Sequence, residues 1–97
     1  MVEAGDGQPV TLAVETTLTT NHGTVFLNPL EGGSLSCHLP IYGSVSGRKQ
    51  YKVKNIGQGI ATLDAADGKT VDGVVSIDLN PGDRTLILKD GTNWQIF

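Results

Sequence analysis

Cys37 is the only cysteine, so a disulfide within the chain is excluded. Aromatic residues are scarce: two Phe, two Tyr and one Trp are all that a core can draw on. Glycine is plentiful, at 13 of 97 residues. A chain of this length is one domain, and a monomer buries only about 60–68% of the surface its unfolded chain exposes. A small, Gly-rich, aromatic-poor domain needs further support, and with no disulfide or metal cage in sight oligomerisation is the expected source. No apolar run approaches the roughly 20 residues of a membrane span. Residues 1–9, Met-Val-Glu-Ala-Gly-Asp-Gly-Gln-Pro, lack the basic start and apolar stretch of a signal peptide. A soluble protein made in a cytoplasm is expected, a compartment in which a free thiol persists. An excess of positive charge is missing too. A formal net charge of −3 and a pI near 5.1 argue against a nucleic-acid partner. The basic residues are scattered except in Arg48-Lys49-x-x-Lys52-x-Lys54, which reads as one solvated strand face or as a contact for an acidic neighbour.

A sustained helical period is the last absence. What replaces it is a period of two, broken every 8–12 residues by turn signals. Residues 1–9 read as a flexible arm, and residues 10–97 as a single β domain. Val10, Leu12, Val14, Thr16 and Leu18 share one face of a predicted first strand. Short strands follow over Thr24–Leu27 and through Leu35, Cys37 and Leu39. Tyr51 and Val53 then point one way, and Lys52 and Lys54 the other. After Asn55-Ile56-Gly57-Gln58-Gly59 a strand runs from Ile60 to Ala65. Asp67-Gly68 and Asp72-Gly73 are hairpin turns, with Lys69–Val71 a short return strand between them. Val75, Ile77 and Leu79 share a face. Asn80-Pro81-Gly82-Asp83 suits a type II turn, with proline presetting φ and glycine accepting φ > 0. Strands over 84–88 and 93–97 close the domain. The expected architecture is all-β: a small antiparallel sandwich or barrel, jelly-roll-like.

In the final strand Trp94 and Ile96 share a face, so Trp94 is expected to cap the core and its indole N–H to need a partner. Phe97 falls on the opposite face, and Phe97 or Ile87 is expected to touch a neighbouring subunit, with Trp94 close by.

Reactive constellations are poorly supported. His22 and His38 are the only histidines. Cys37 and His38 are neighbours, so on a strand they face opposite ways and cannot form a dyad. Cys37 reads as a small core residue, and His38 as an exposed or interface residue. Asp64-x-x-Asp67-Gly68-x-x-x-Asp72 lacks the ligand alternation and closing glutamate of a calcium loop. No phosphate loop occurs. No catalytic residue, metal ligand or cofactor is assigned.

Leu39-Pro40, Gly47, Tyr51-Lys52-Val53-Lys54-Asn55-Ile56-Gly57, Val71-Asp72-Gly73, Leu79-Asn80-Pro81-Gly82-Asp83 and Asp90-Gly91-Thr92-Asn93-Trp94 occur in this order. In order and spacing they resemble a module of bacteriophage tail-fibre and virion appendage proteins. The resemblance implies a small, non-enzymatic β domain, commonly a homotrimer, located on the virion and made in the bacterial host. In long fibres the module ends a much longer chain. A short version suits a capsid decoration or cement protein, or a short head fibre, with phage capsid or tail proteins as partners. The arm would then anchor it to the shell through Val2, Glu3 and Pro9. The alternative is a tail-fibre or tail-tip knob that binds a host surface glycan, for which Tyr42 and Trp94 are the candidate contacts.

Overall fold

The computed structural model describes residues 9–19, 22–45, 49–66, 68–89 and 93–96. Nine strands run in the order β1 (Val10–Leu12), β2 (Thr16–Thr17), β3 (Thr24–Leu27), β4 (Ser34–His38), β5 (Gln50–Asn55), β6 (Ile60–Asp64), β7 (Ser76–Leu79), β8 (Arg84–Lys89) and β9 (Trp94–Ile96). One 3-10 turn, Tyr42–Ser44, is the only helical segment among the described residues. The expected all-β class is observed.

The strands form two sheets, one ordered β1-β3-β5-β8-β9 and the other β2-β4-β6-β7. Below they are called the first and the second sheet. Both are mixed, which corrects the antiparallel expectation. From β1 to β6 the chain visits the two sheets alternately, and each of β3 to β6 pairs in parallel with the strand two before it. These strands are three superposed coils of two strands each. The fourth coil runs backwards: β7 pairs antiparallel with β6, and β8 with β5. Strand β9 then pairs antiparallel with β8. Alternating apolar residues show that a strand is half-buried; they carry no information on which strand lies beside it, or in which direction.

The predicted first strand is two strands in different sheets. The chain crosses between them at residues 13–15, which leaves Val14 71% exposed. The even-numbered residues face inward both before and after the crossing, and Val14 between them is apolar, so an unbroken period of two across residues 10–18 concealed it. Lys69–Val71 is likewise not a strand. Val71 forms isolated bridges to Val74 and Trp94. The Val71–Val74 bridge is closed by a two-residue turn with Asp72 at φ 53 and Gly73 at φ 91, the pair of positive values a tight hairpin needs. The Asn80–Asp83 turn is as expected, with Gly82 at φ 88 and the Asp83 N–H donating to the Asn80 carbonyl at 2.9 Å.

Inward residues of both sheets join one apolar cluster. Val25, Leu27, Tyr51, Val53 and Ile87 come from the first sheet, and Leu35, Cys37, Ala61 and Leu63 from the second. At one corner of the coils Asn55 is fully buried and fully bonded. Its side-chain amide donates to the carbonyls of Gly59 (3.0 Å) and Leu79 (2.8 Å), and its side-chain oxygen accepts the Gly57 N–H (2.8 Å). Its backbone bonds to Asp83 and Gly82. One amide therefore joins the β5–β6 corner to the turn that leads into β8.

Candidate functional site

Three places bring chemistry-bearing side chains together. The first is a ladder on the outer side of the second sheet. His38 on β4 lies in register with Asp64 on β6. Its Nδ1 is 2.7 Å from Asp64 Oδ1, and its Nε2 is 2.6 Å from Glu15 Oε2. The hydrogen bond to Glu15, and then that to Asp64, raise the His38 pKa above the ordinary 6.5. A protonated ring donates at both nitrogens at once, which is why the charged form is favoured. Both nitrogens are committed, so neither is left to take a proton from a nucleophile. They also point away from each other, so the two carboxylates do not converge with the ring on one ion. Among the described residues no group of three or more His, Cys, Asp or Glu side chains is placed to hold a metal. His22 is different. Burial and then the Lys49 ammonium lower its pKa, and its Nδ1 accepts the Thr19 N–H at 2.9 Å. Cys37 is buried in the core, and burial pushes its thiol up to about 12, far from a thiolate at neutral pH.

The second place is an aromatic cluster inside the domain. Trp94 meets Tyr42 edge-on at 5.6 Å between ring centroids, and Tyr51 at 5.9 Å. The Tyr51 hydroxyl donates to the Thr19 carbonyl at 2.9 Å. The Trp94 N–H and the Tyr42 hydroxyl are buried with no partner among the described residues. Two expectations are corrected here. Trp94 and Ile87 are both 0% exposed, so neither offers surface to a neighbouring subunit, and Trp94 offers none to a sugar. The alternation of β9 placed Trp94 on the inner face correctly; the expected contacts needed an outer one. The 3-10 turn folds Tyr42 back onto the core, where the Lys69 and Lys89 ammoniums lie 4.9 and 4.2 Å from its ring centroid. Its ring is engaged by its own chain instead of standing free for a glycan. Phe97, Val2 and Glu3 lie outside the described residues. Pro9 is exposed.

The third place is the outer side of the first sheet. Lys52 on β5 is in register with Thr24 on β3 and Leu86 on β8. Lys54 is in register with Phe26 and Arg84. Residues in register share a face, so these six form a continuous surface. It is concave, with a volume of about 360 Å³. Phe26 and Leu86 are half-buried in its floor, and Lys52, Lys54 and Arg84 stand exposed around them. No ion pair to any of these three cations is present among the described residues; the ion pairs found are those of His38. No strand residue of that face carries a carboxylate. The second sheet is the reverse, with Asp64 and Asp78 outward and the Thr62 hydroxyl donating to Asp78 at 2.8 Å.

The comparisons with known proteins found no match to this chain. That holds for the family models, the curated proteins and the solved structures alike. The site assignment therefore stands on this geometry. Sequence reading found Lys52 and Lys54 as one strand face. It missed Phe26, Arg84 and Leu86 as their neighbours, because strand order brings those residues together across 26 to 86 in the chain. The one available signal was that β3, β5 and β8 each place a polar or basic residue opposite a buried one.

Proposed function

We propose that this chain is a non-enzymatic structural module of a bacteriophage virion. In this reading it is a capsid decoration or cement protein, or a short head fibre, that binds the assembled shell as a homotrimer. The observation that carries the reading is where the motif residues go. Tyr51, Val53, Asn55, Val71, Leu79 and Trp94 are buried, and Asp72-Gly73 and Pro81-Gly82 form turns. The motif is spent on making the fold, which suits a scaffold that works by presenting surfaces. The two sheets share one apolar cluster, which supports a closed sandwich as the finer architecture. The histidine that could do acid–base work is held between two carboxylates, and the thiol is buried.

Binding only to the assembled shell would stabilise that shell by mass action. Solution mass by light scattering tests the oligomer: a trimer weighs three times the 10.2 kDa chain, and a monomer removes that part of the proposal. Binding to expanded capsids, with and without residues 1–9, tests the anchor. Equal binding by the shortened protein means that the arm does not hold the module to the shell. Against the glycan-binding alternative stand the burial of Trp94 and the two lysines beside the half-buried Tyr42 ring.

A further inference from the structure

We propose that the concave outer face of the first sheet is a docking site for an acidic, apolar-flanked segment of a partner protein. The inference stands on this face alone and does not rest on the proposed function.

Charge is the first argument. The protein carries a net charge of −3, yet three of its seven Lys and Arg residues are gathered here. Lys54 and Arg84 are register partners on antiparallel strands, so two like charges stand directly opposite each other. Such a pair destabilises a sheet. No carboxylate of the described residues relieves it. A carboxylate brought by a partner would, and Arg84 can take one in a two-pronged grip.

The floor is the second argument. Phe26 on β3 and Leu86 on β8 flank the β5 lysines, in register with Lys54 and Lys52, and are only half-buried. A free inorganic anion would satisfy the cations and leave this floor wet. A partner with apolar side chains covers it and gains from the burial. Spacing is the third. Lys52 and Lys54 are alternate residues of one strand, so their side chains repeat at roughly 7 Å. An extended chain with acidic residues at alternate positions has the same repeat. The opposite side of the molecule, with Asp64 and Asp78 outward, has the wrong sign for such a partner and serves as an internal control.

The test uses the full chain and a short synthetic peptide alternating glutamate and leucine, with binding followed by isothermal calorimetry and by amide chemical shifts. The expected result is saturable binding whose shifts map to β3, β5 and β8. Lys52→Glu or Lys54→Glu should weaken it by about tenfold or more, since each replaces an attraction with a repulsion. Asp78→Lys should leave it unchanged, and Lys52→Arg with Lys54→Arg should retain it. Circular dichroism of each variant separates lost binding from lost folding, and exposed charge changes should leave the fold intact. No binding, binding indifferent to Lys52 and Lys54, or shifts that map elsewhere would overturn the proposal. So would tighter binding of heparin or polyglutamate than of the alternating peptide, because the floor would then contribute nothing. A peptide-independent self-association that Lys52→Glu abolishes would also overturn it, by making a second copy the occupant.

Discussion

At the residue scale, two side chains tie together parts of the chain that are distant in sequence. His38 joins Glu15, which precedes β2, to Asp64 at the end of β6. Its pKa is raised by Glu15 first and Asp64 second. A group whose folded pKa lies above its unfolded value adds stability that is fully present below the unfolded value and is lost as pH rises through the folded one. The contribution of His38 is therefore fully present below its ordinary 6.5 and is lost as pH rises through its raised value. Thermal unfolding of wild type and His38→Gln should differ most below the ordinary 6.5 and converge as pH rises through the raised His38 pKa. A gap that widens with pH would mean that the neutral ring makes the useful bonds. Asn55 acts without any titration. Asn55→Ala leaves the Gly59 and Leu79 carbonyls and the Gly57 N–H buried without their partner, at a cost of about 3 kcal/mol. In a domain of this size that lowers the midpoint by more than about 10 °C. A shift of a degree or two would show that the corner relaxes around the loss.

At the element scale, coil stacking depends on how closely successive corners approach. An added Cβ at Gly57 would overlap the Pro29 backbone, and one at Gly59 would overlap the Leu30 and Gly33 carbonyls. Both corners are backbone and cannot swing aside. Gly57→Ala and Gly59→Ala should each cost about 2 kcal/mol or more in denaturant unfolding, whereas Gly43→Ala, with open space around its Cβ, should be close to neutral. Similar midpoints for all three would remove the stacked-corner account. Much at this scale was legible in the sequence. The alternations at Leu35-Cys37-Leu39 and Tyr51-Val53 and the turns at 72–73 and 80–83 report local conformation, and the structure has them. Pairing direction was not legible, because a half-buried strand has the same pattern beside a parallel or an antiparallel neighbour. The crossing at 13–15 was hidden for a related reason: Val14 continues the apolar period although it is exposed. The basic face was half legible. Its lysines sit on one strand, and its floor comes from two others.

At the scale of the whole molecule, the coil arrangement makes stability uneven along the chain. The central strands β5 and β6 have neighbours on both sides in their sheets. Strands β1 and β2 are edges, each with one neighbour, and β2 is two residues long. The first coil also buries less: β1 holds only half-buried apolar residues, while Leu18, just beyond β2, is its fully buried contribution. Local opening should follow this order, since segments with few buried contacts and solvent-facing backbone bonds open first. The His38 ladder counters the gradient by holding the first coil to the next two through Glu15. Native-state amide exchange, corrected for intrinsic rates, should show least protection in β1 and β2 and most in β5 and β6. Protection of Leu18, whose N–H donates to the His38 carbonyl at 2.8 Å, should fall as pH rises through the His38 titration, while that of Val53 should hold. Glu15→Gln should weaken that fall, because it removes the larger cause of the raised pKa. Uniform protection along all the strands would mean that the domain opens as one unit and that the ladder holds nothing which the core does not already hold.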